Sequence, residues 1–93
     1  MPEIERDKSI IEHIKNYCED IQNAVKRFGN EQQFYLDKDF RNTCALCLLQ
    51  IGELANHLSE NFKKVNKTIP WGGIIGMRNI VAHGYGEINL DIV

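Results

Sequence analysis

Between Asn61 and Gly86 the chain has no aspartate or glutamate, although 13 acidic residues are spread through the rest of it. That segment carries Lys63, Lys64, Lys67 and Arg78, so a chain of net charge −2 contains one locally cationic stretch. The net charge gives no overall case for nucleic-acid binding. Its distribution leaves two readings, a polyanion site and a solvated lysine-rich loop. Long apolar runs are also missing, and nothing approaches the roughly 18 residues that a membrane-crossing helix needs. The acidic start, Met1 to Asp7, lacks the basic and apolar regions of a signal peptide. These absences predict a cytoplasmic protein with no membrane association.

Cysteine is scarce and odd in number: Cys18, Cys44 and Cys47. That count argues against a disulfide framework. Cys44 and Cys47 form a C-x-x-C pair, but no second pair stands at the spacing a structural zinc site requires, and no strand precedes them as in a redox motif. They are expected to be buried helix residues. No metal or cofactor is predicted. Hydrophobic residues at 43% and charged residues at 26% describe an ordinary globular chain, and 93 residues leave room for one domain, residues 1–93.

What the sequence does contain is helical periodicity. Ile4, Ile11, Ile14, Cys18, Ile21, Val25 and Phe28 recur at steps of three, four or seven, which predicts a helix over residues 3–28 ended by Gly29-Asn30. A short link with Phe34, Tyr35 and Leu36 follows. Phe40, Cys44, Cys47, Leu48, Ile51, Leu54, Ala55, Leu58 and Phe62 predict a second helix over roughly 37–62. Gly52 inside it points to close approach of another helix. Pro70 opens a third, shorter helix carrying Ile74, Ile75, Met77, Ile80 and Val81, closed by Gly84 and Gly86. No repeat, low-complexity tract or convincing strand is found. The expected fold is all-α, an up-and-down bundle of two long antiparallel helices plus a shorter third. Two long apolar faces also invite homodimerisation.

Arg78, His83 and Tyr85 gather three chemically useful side chains within eight positions. Arginine offers a planar donor fork for phosphate, histidine exchanges protons near neutral pH, and tyrosine carries a hydroxyl. On an unbroken helix, Arg78 and His83 would stand about 140° apart. They converge if the helix ends between them, or if each meets its counterpart across a two-fold axis. The plain reading is that Arg78 pairs with a surface carboxylate while His83 caps helix carbonyls.

The stretch from Pro70-Trp71 through Ile74-Ile75-Gly76-Met77-Arg78-Asn79 to His83-Gly84-Tyr85 closely resembles the HepT-like family of the HEPN superfamily. Gln50-Ile51-Gly52-Glu53-Leu54-Ala55 resembles that family's second-helix signature, and Asp7, His13, Ile14 and Tyr17 its first-helix opening. The resemblance implies an all-helical dimer acting as a metal-independent RNase, the toxin of a toxin–antitoxin pair. It implies catalytic roles for Arg78 and His83, a polar phosphate-side position at Asn79, and Tyr85 as acceptor of AMP from a cognate minimal nucleotidyltransferase. Lys63, Lys64 and Lys67 are further candidate RNA contacts. The competing reading is a non-catalytic helical dimer or nucleotide-binding module.

Glu53 is placed to anchor Arg78 or a backbone group of another helix, a structural role rather than a catalytic one. His13 reads as a packing or surface residue and His57 as an exposed one. Glu87 to Val93 looks like the approach to the further C-terminal helix of similar proteins, which the chain is expected to lack.

Overall fold

The computed structural model describes the backbone of residues 2–29, 32 and 36–92, and the side chains of these up to residue 83, that of Phe28 apart. It is all-helical: α1 (Glu3–Phe28), α2 (Lys38–Asn56), α3 (Glu60–Val65) and α4 (Trp71–Ile92). The first helix has the bounds its periodicity predicts. Glu3 and Glu5 in its first turn and Lys26 and Arg27 in its last complement the helix dipole. Gly29 then turns the chain at φ 90°, and its N–H donates to Val25 O at 2.8 Å.

Helix α2 is the centre of the bundle. Asp37 caps it, its carboxylate accepting from Phe40 N at 3.0 Å. Phe40, Cys44, Cys47, Ile51, Ala55 and Leu58 follow at steps of three and four and are buried, so the core runs along this one chain segment. α2 packs against both α1 and α4, which among the described residues make little direct contact with each other. Ala24 of α1 meets Phe40 and Cys44 at one end, while Asp7 of α1 meets Ser59 at the other, so α1 and α2 run antiparallel. The radius of gyration is 15.0 Å, against roughly 12 Å for a compact domain of this length. The arrangement is correspondingly open. Ile4 and Val65 are 80% and 75% exposed beside a groove of about 470 Å³ between α1 and α3.

Four expectations need correction. The second helix does not reach Phe62: it stops at Asn56, and α3 starts afresh at Glu60. The cause is Asp7, buried 52 residues away in sequence. Its carboxylate accepts from Ser59 N at 2.9 Å and from Ser59 Oγ at 2.6 Å, and Ser59 Oγ accepts in turn from Phe62 N at 3.1 Å. Ser59 is thereby held as the N-cap of a new helix.

Nor does the third long helix close at Gly84. α4 continues through Gly84 and Gly86 to Ile92 and, at 22 residues, is longer than α2. A helical glycine costs about 1 kcal/mol relative to alanine but does not stop a helix unless the backbone turns there. The segment from Glu87, read as the approach to a further helix, belongs to α4. Cys18, placed in the apolar stripe of α1, is exposed, whereas Cys44 and Cys47 are buried as expected and burial pushes both thiols up. Among the described residues, no helix is long and apolar enough to cross a membrane.

The loop into α4 is tied down by side chains. Asn66 Nδ2 donates to Phe62 O at 2.9 Å and Trp71 Nε1 donates to Asn66 O at 3.1 Å, while the Phe62 and Trp71 rings meet edge-on at 6.0 Å. His13 is exposed on α1, its Nδ1 3.0 Å from Ser9 O.

Two hydrogen bonds from Ser59 hold the Asp7 carboxyl below the usual carboxylate range. A lowered folded-state pKa means that this contribution to stability is present above about pH 4 and is lost as pH falls further. Asp7→Asn should therefore melt at a lower temperature than the wild type at pH 7. The gap should narrow on acidification below about pH 4, as read by circular-dichroism melts across pH.

Candidate active site around Arg78

The site is built where α2 and α4 come closest. A Cβ on Gly52 would lie 3.0 Å from Ile74 O, 3.1 Å from Arg78 Cβ and 3.2 Å from Arg78 N. Only a residue with no side chain lets the two backbones approach to this distance. The close approach expected of Gly52 is made, and it is made against the turn that carries Arg78. The next residue, Glu53, then reaches the guanidinium.

Arg78 Nη1 donates to Glu53 Oε2 at 2.9 Å and to Oε1 at 3.1 Å. Of the two partners that the sequence leaves open for Glu53, the arginine is the one found. The Arg78 side chain is 30% exposed and that of Glu53 46%, so the pair sits at the rim and contributes about 0–1 kcal/mol to stability. Its effect is geometric. One nitrogen is committed to the carboxylate, which orients the guanidinium while its other donors are not committed to Glu53.

His83 and Asn79 are exposed on the same helix. Because α4 is unbroken between them, Arg78 and His83 diverge by about 140° around its axis. The convergence that a helix end would allow is thus excluded within one chain. Tyr85 lies on the helical backbone two residues beyond His83, and its side chain is outside the described residues.

The three lysines separate. Lys63 is only 14% exposed and pairs with Glu60 at 3.1 Å on α3, close enough to Asp7 to help lower its pKa. Lys64 and Lys67 are exposed, on α3 and in the turn after it. The cationic stretch is therefore not one surface, since its most buried lysine is already paired.

Sequence reasoning gave His57 an exposed position but no partner. It is exposed as expected, but its Nε2 lies 3.9 Å from Glu53 Oε1, beside the Arg78 pair. The signal was available, because residues four apart on a helix are neighbours.

Comparison with known proteins places these residues in context. A family model described as ribonuclease HepT-like matches residues 14–93. The chain is 32% identical over 85 residues to the mRNA nuclease HepT of Shewanella oneidensis, an alignment covering 91% of this chain and 56% of that protein. It is 28% identical over 85 residues to a Thermococcus cleftensis protein named "Probable ribonuclease HepT", covering 85% of this chain and 77% of the other. The chain thus spans little more than half the length of the Shewanella relative. No solved structure gives a significant match.

Opposite signs are expected for one substitution at two glycines of the same fold. Gly52→Ala drives a methyl into the Ile74 carbonyl and Arg78, and overpacking of about 1–3 kcal/mol should exceed the helix-propensity gain of about 1 kcal/mol. Gly76→Ala meets nothing within 4 Å and should be stabilising by about 1 kcal/mol. Denaturant unfolding of the two variants against the wild type measures both.

Proposed function

We propose that this chain, which belongs to the ribonuclease HepT-like family, cuts RNA as a metal-independent endoribonuclease with Arg78 and His83 as its catalytic residues. The observation that carries this reading is the clamp on Arg78. Glu53 fixes one guanidinium nitrogen, the rest of the fork is left for a phosphate, and His83 stands in the same helix. RNA brings its own nucleophile. An imidazole removes the proton of a 2′-hydroxyl, the oxygen attacks the adjacent phosphorus, and the bond to the 5′-oxygen breaks as that oxygen takes a proton. Arg78 offsets the charge that builds on the phosphoryl oxygens during the attack.

The unbroken α4 supports a two-chain arrangement. With Arg78 and His83 diverging on one helix, the reading places the motifs of two copies against one another, so that residues of both serve one phosphate. In the same reading the chain is a toxin, cytoplasmic, restrained by a cognate minimal nucleotidyltransferase. The Tyr85 hydroxyl attacks the α-phosphate of ATP, pyrophosphate leaves, and the AMP ester puts bulk and negative charge where RNA phosphate would enter. Resemblance to the family supports this part.

Arg78→Ala should lower the cleavage rate on an RNA oligonucleotide by about 10²–10³-fold, and His83→Ala by at least about 10²-fold, with helical circular dichroism unchanged. A mixture of the two variants should recover part of the activity if the site is shared between copies. Full activity in His83→Ala would overturn the reading. Absence of cleavage by the wild type, with retained capture of the nucleotidyltransferase, would favour a non-catalytic interaction module. Incubation with that partner, ATP and Mg²⁺ should add AMP at Tyr85, as located by mass spectrometry.

A further inference from the structure

We infer that His57 is a positioning residue of the same centre: it shares the Glu53 carboxylate with Arg78, and its charge state sets how firmly that carboxylate holds the guanidinium. The inference rests on Arg78 being the phosphate-binding residue. Two side chains, Arg78 and His57, meet at the carboxylate of a third, Glu53. Glu53 Oε2 takes the shorter bond from Arg78 Nη1, at 2.9 Å, and Oε1 the longer one, at 3.1 Å. Oε1 is the oxygen that lies 3.9 Å from His57 Nε2. That separation is too long for a hydrogen bond and within reach of an ion pair. His57 and Glu53 are both about half exposed, so the imidazole is open to solvent.

Two of the other acidic groups near this end of the bundle have partners, while Arg6, Lys64 and Lys67 are exposed. Glu60 of α3 pairs with Lys63 at 3.1 Å, and Asp7 of α1 is taken up by Ser59. Among the described residues, Glu53 of α2 is the charged group within ion-pair reach of His57, and Arg78 of α4 is linked to it through that carboxylate. Histidine is the side chain that changes charge near neutral pH. When neutral, His57 leaves Glu53 to Arg78 alone, and the arginine's charge is largely balanced before a phosphate arrives. When protonated, it draws Oε1 and divides the carboxylate between two cations. More of the guanidinium charge then faces the substrate, and RNA binds more tightly on the acid side of neutrality.

Two measurements test this. The first reads the shared carboxylate without relying on activity. The His57 ring resonance, assigned by its loss in His57→Gln, is titrated by NMR in three proteins. Relative to the wild type, its midpoint should fall in Glu53→Gln, which loses the anion, and rise in Arg78→Ala, which loses the competing cation. Identical midpoints in all three would overturn the sharing.

The second reads the consequence as KM for an RNA oligonucleotide between about pH 5.5 and 8. Wild-type KM should rise with pH. His57→Gln should hold the high-pH value throughout, about two- to fivefold above the wild type at the acid end, and His57→Lys should hold the low value throughout. The kcat profile, which follows His83, should keep its shape in all three. Matching KM profiles alongside shifted NMR midpoints would reduce His57 to a structural neighbour and defeat the inference. A wild type that cuts nothing would instead defeat the ribonuclease reading, and the NMR midpoints would still decide whether the carboxylate is shared.

Discussion

Close approach of two helix backbones at Gly52 is the constraint on which the rest of the site depends. Hydrogen at that position admits the Ile74 carbonyl and the Arg78 backbone to about 3 Å of where a methyl would stand. The consequence is positional rather than energetic. The neighbouring Glu53 arrives at guanidinium height, and an arginine at the rim of an open bundle acquires a fixed orientation. Few of the surrounding contacts are strong. The ion pair is partly exposed, the buried residues lie mostly along α2, and among the described residues α1 and α4 hardly meet.

Such an open arrangement needs a second anchor, and Asp7 supplies it. Its carboxylate takes both polar hydrogens of Ser59, which fixes the start of α1 to the junction between α2 and α3. The same junction holds His57, three residues before Glu60, whose pairing with Lys63 opens α3. Hydrogen bonds from Asn66 and Trp71 carry the order into the first turn of α4. Capping and closing interactions, each short in reach, therefore link the beginning of the chain to the helix that bears the motif.

Much of this was legible in the sequence, and what was not has identifiable causes. The bounds of α1 and the start of α2 follow from apolar spacing with a glycine stop and an aspartate cap, all local signals. The break at His57 to Ser59 was hidden because Leu58 and Phe62 continue the helical period across it. Its cause lies 52 residues away in Asp7. The end of α4 was misplaced because Gly84 resembles a helix stop, although only a turning backbone makes it one. At the site, Gly52 and the partner of Arg78 were within reach of sequence reasoning. Lys63 looked like a free cation until its pairing with Glu60 was seen. The resemblance to HepT-like proteins named the motif residues, while their divergence on one continuous helix emerged only from the fold.

The glycine content of α4 bears on how the site behaves over time. Gly72, Gly73, Gly76, Gly84 and Gly86 all lie in this helix, each costing about 1 kcal/mol of intrinsic helix stability relative to alanine. Alone, such a segment would favour coil, and its order comes from docking on α2. The element that carries Arg78 and His83 is therefore prone to local opening while the α1–α2 pair stays folded. Any molecule that binds only the docked form of α4 would raise the free energy of that opening in proportion to its own affinity. Occupancy of the site and rigidity of the bundle are, on this account, two measures of one equilibrium.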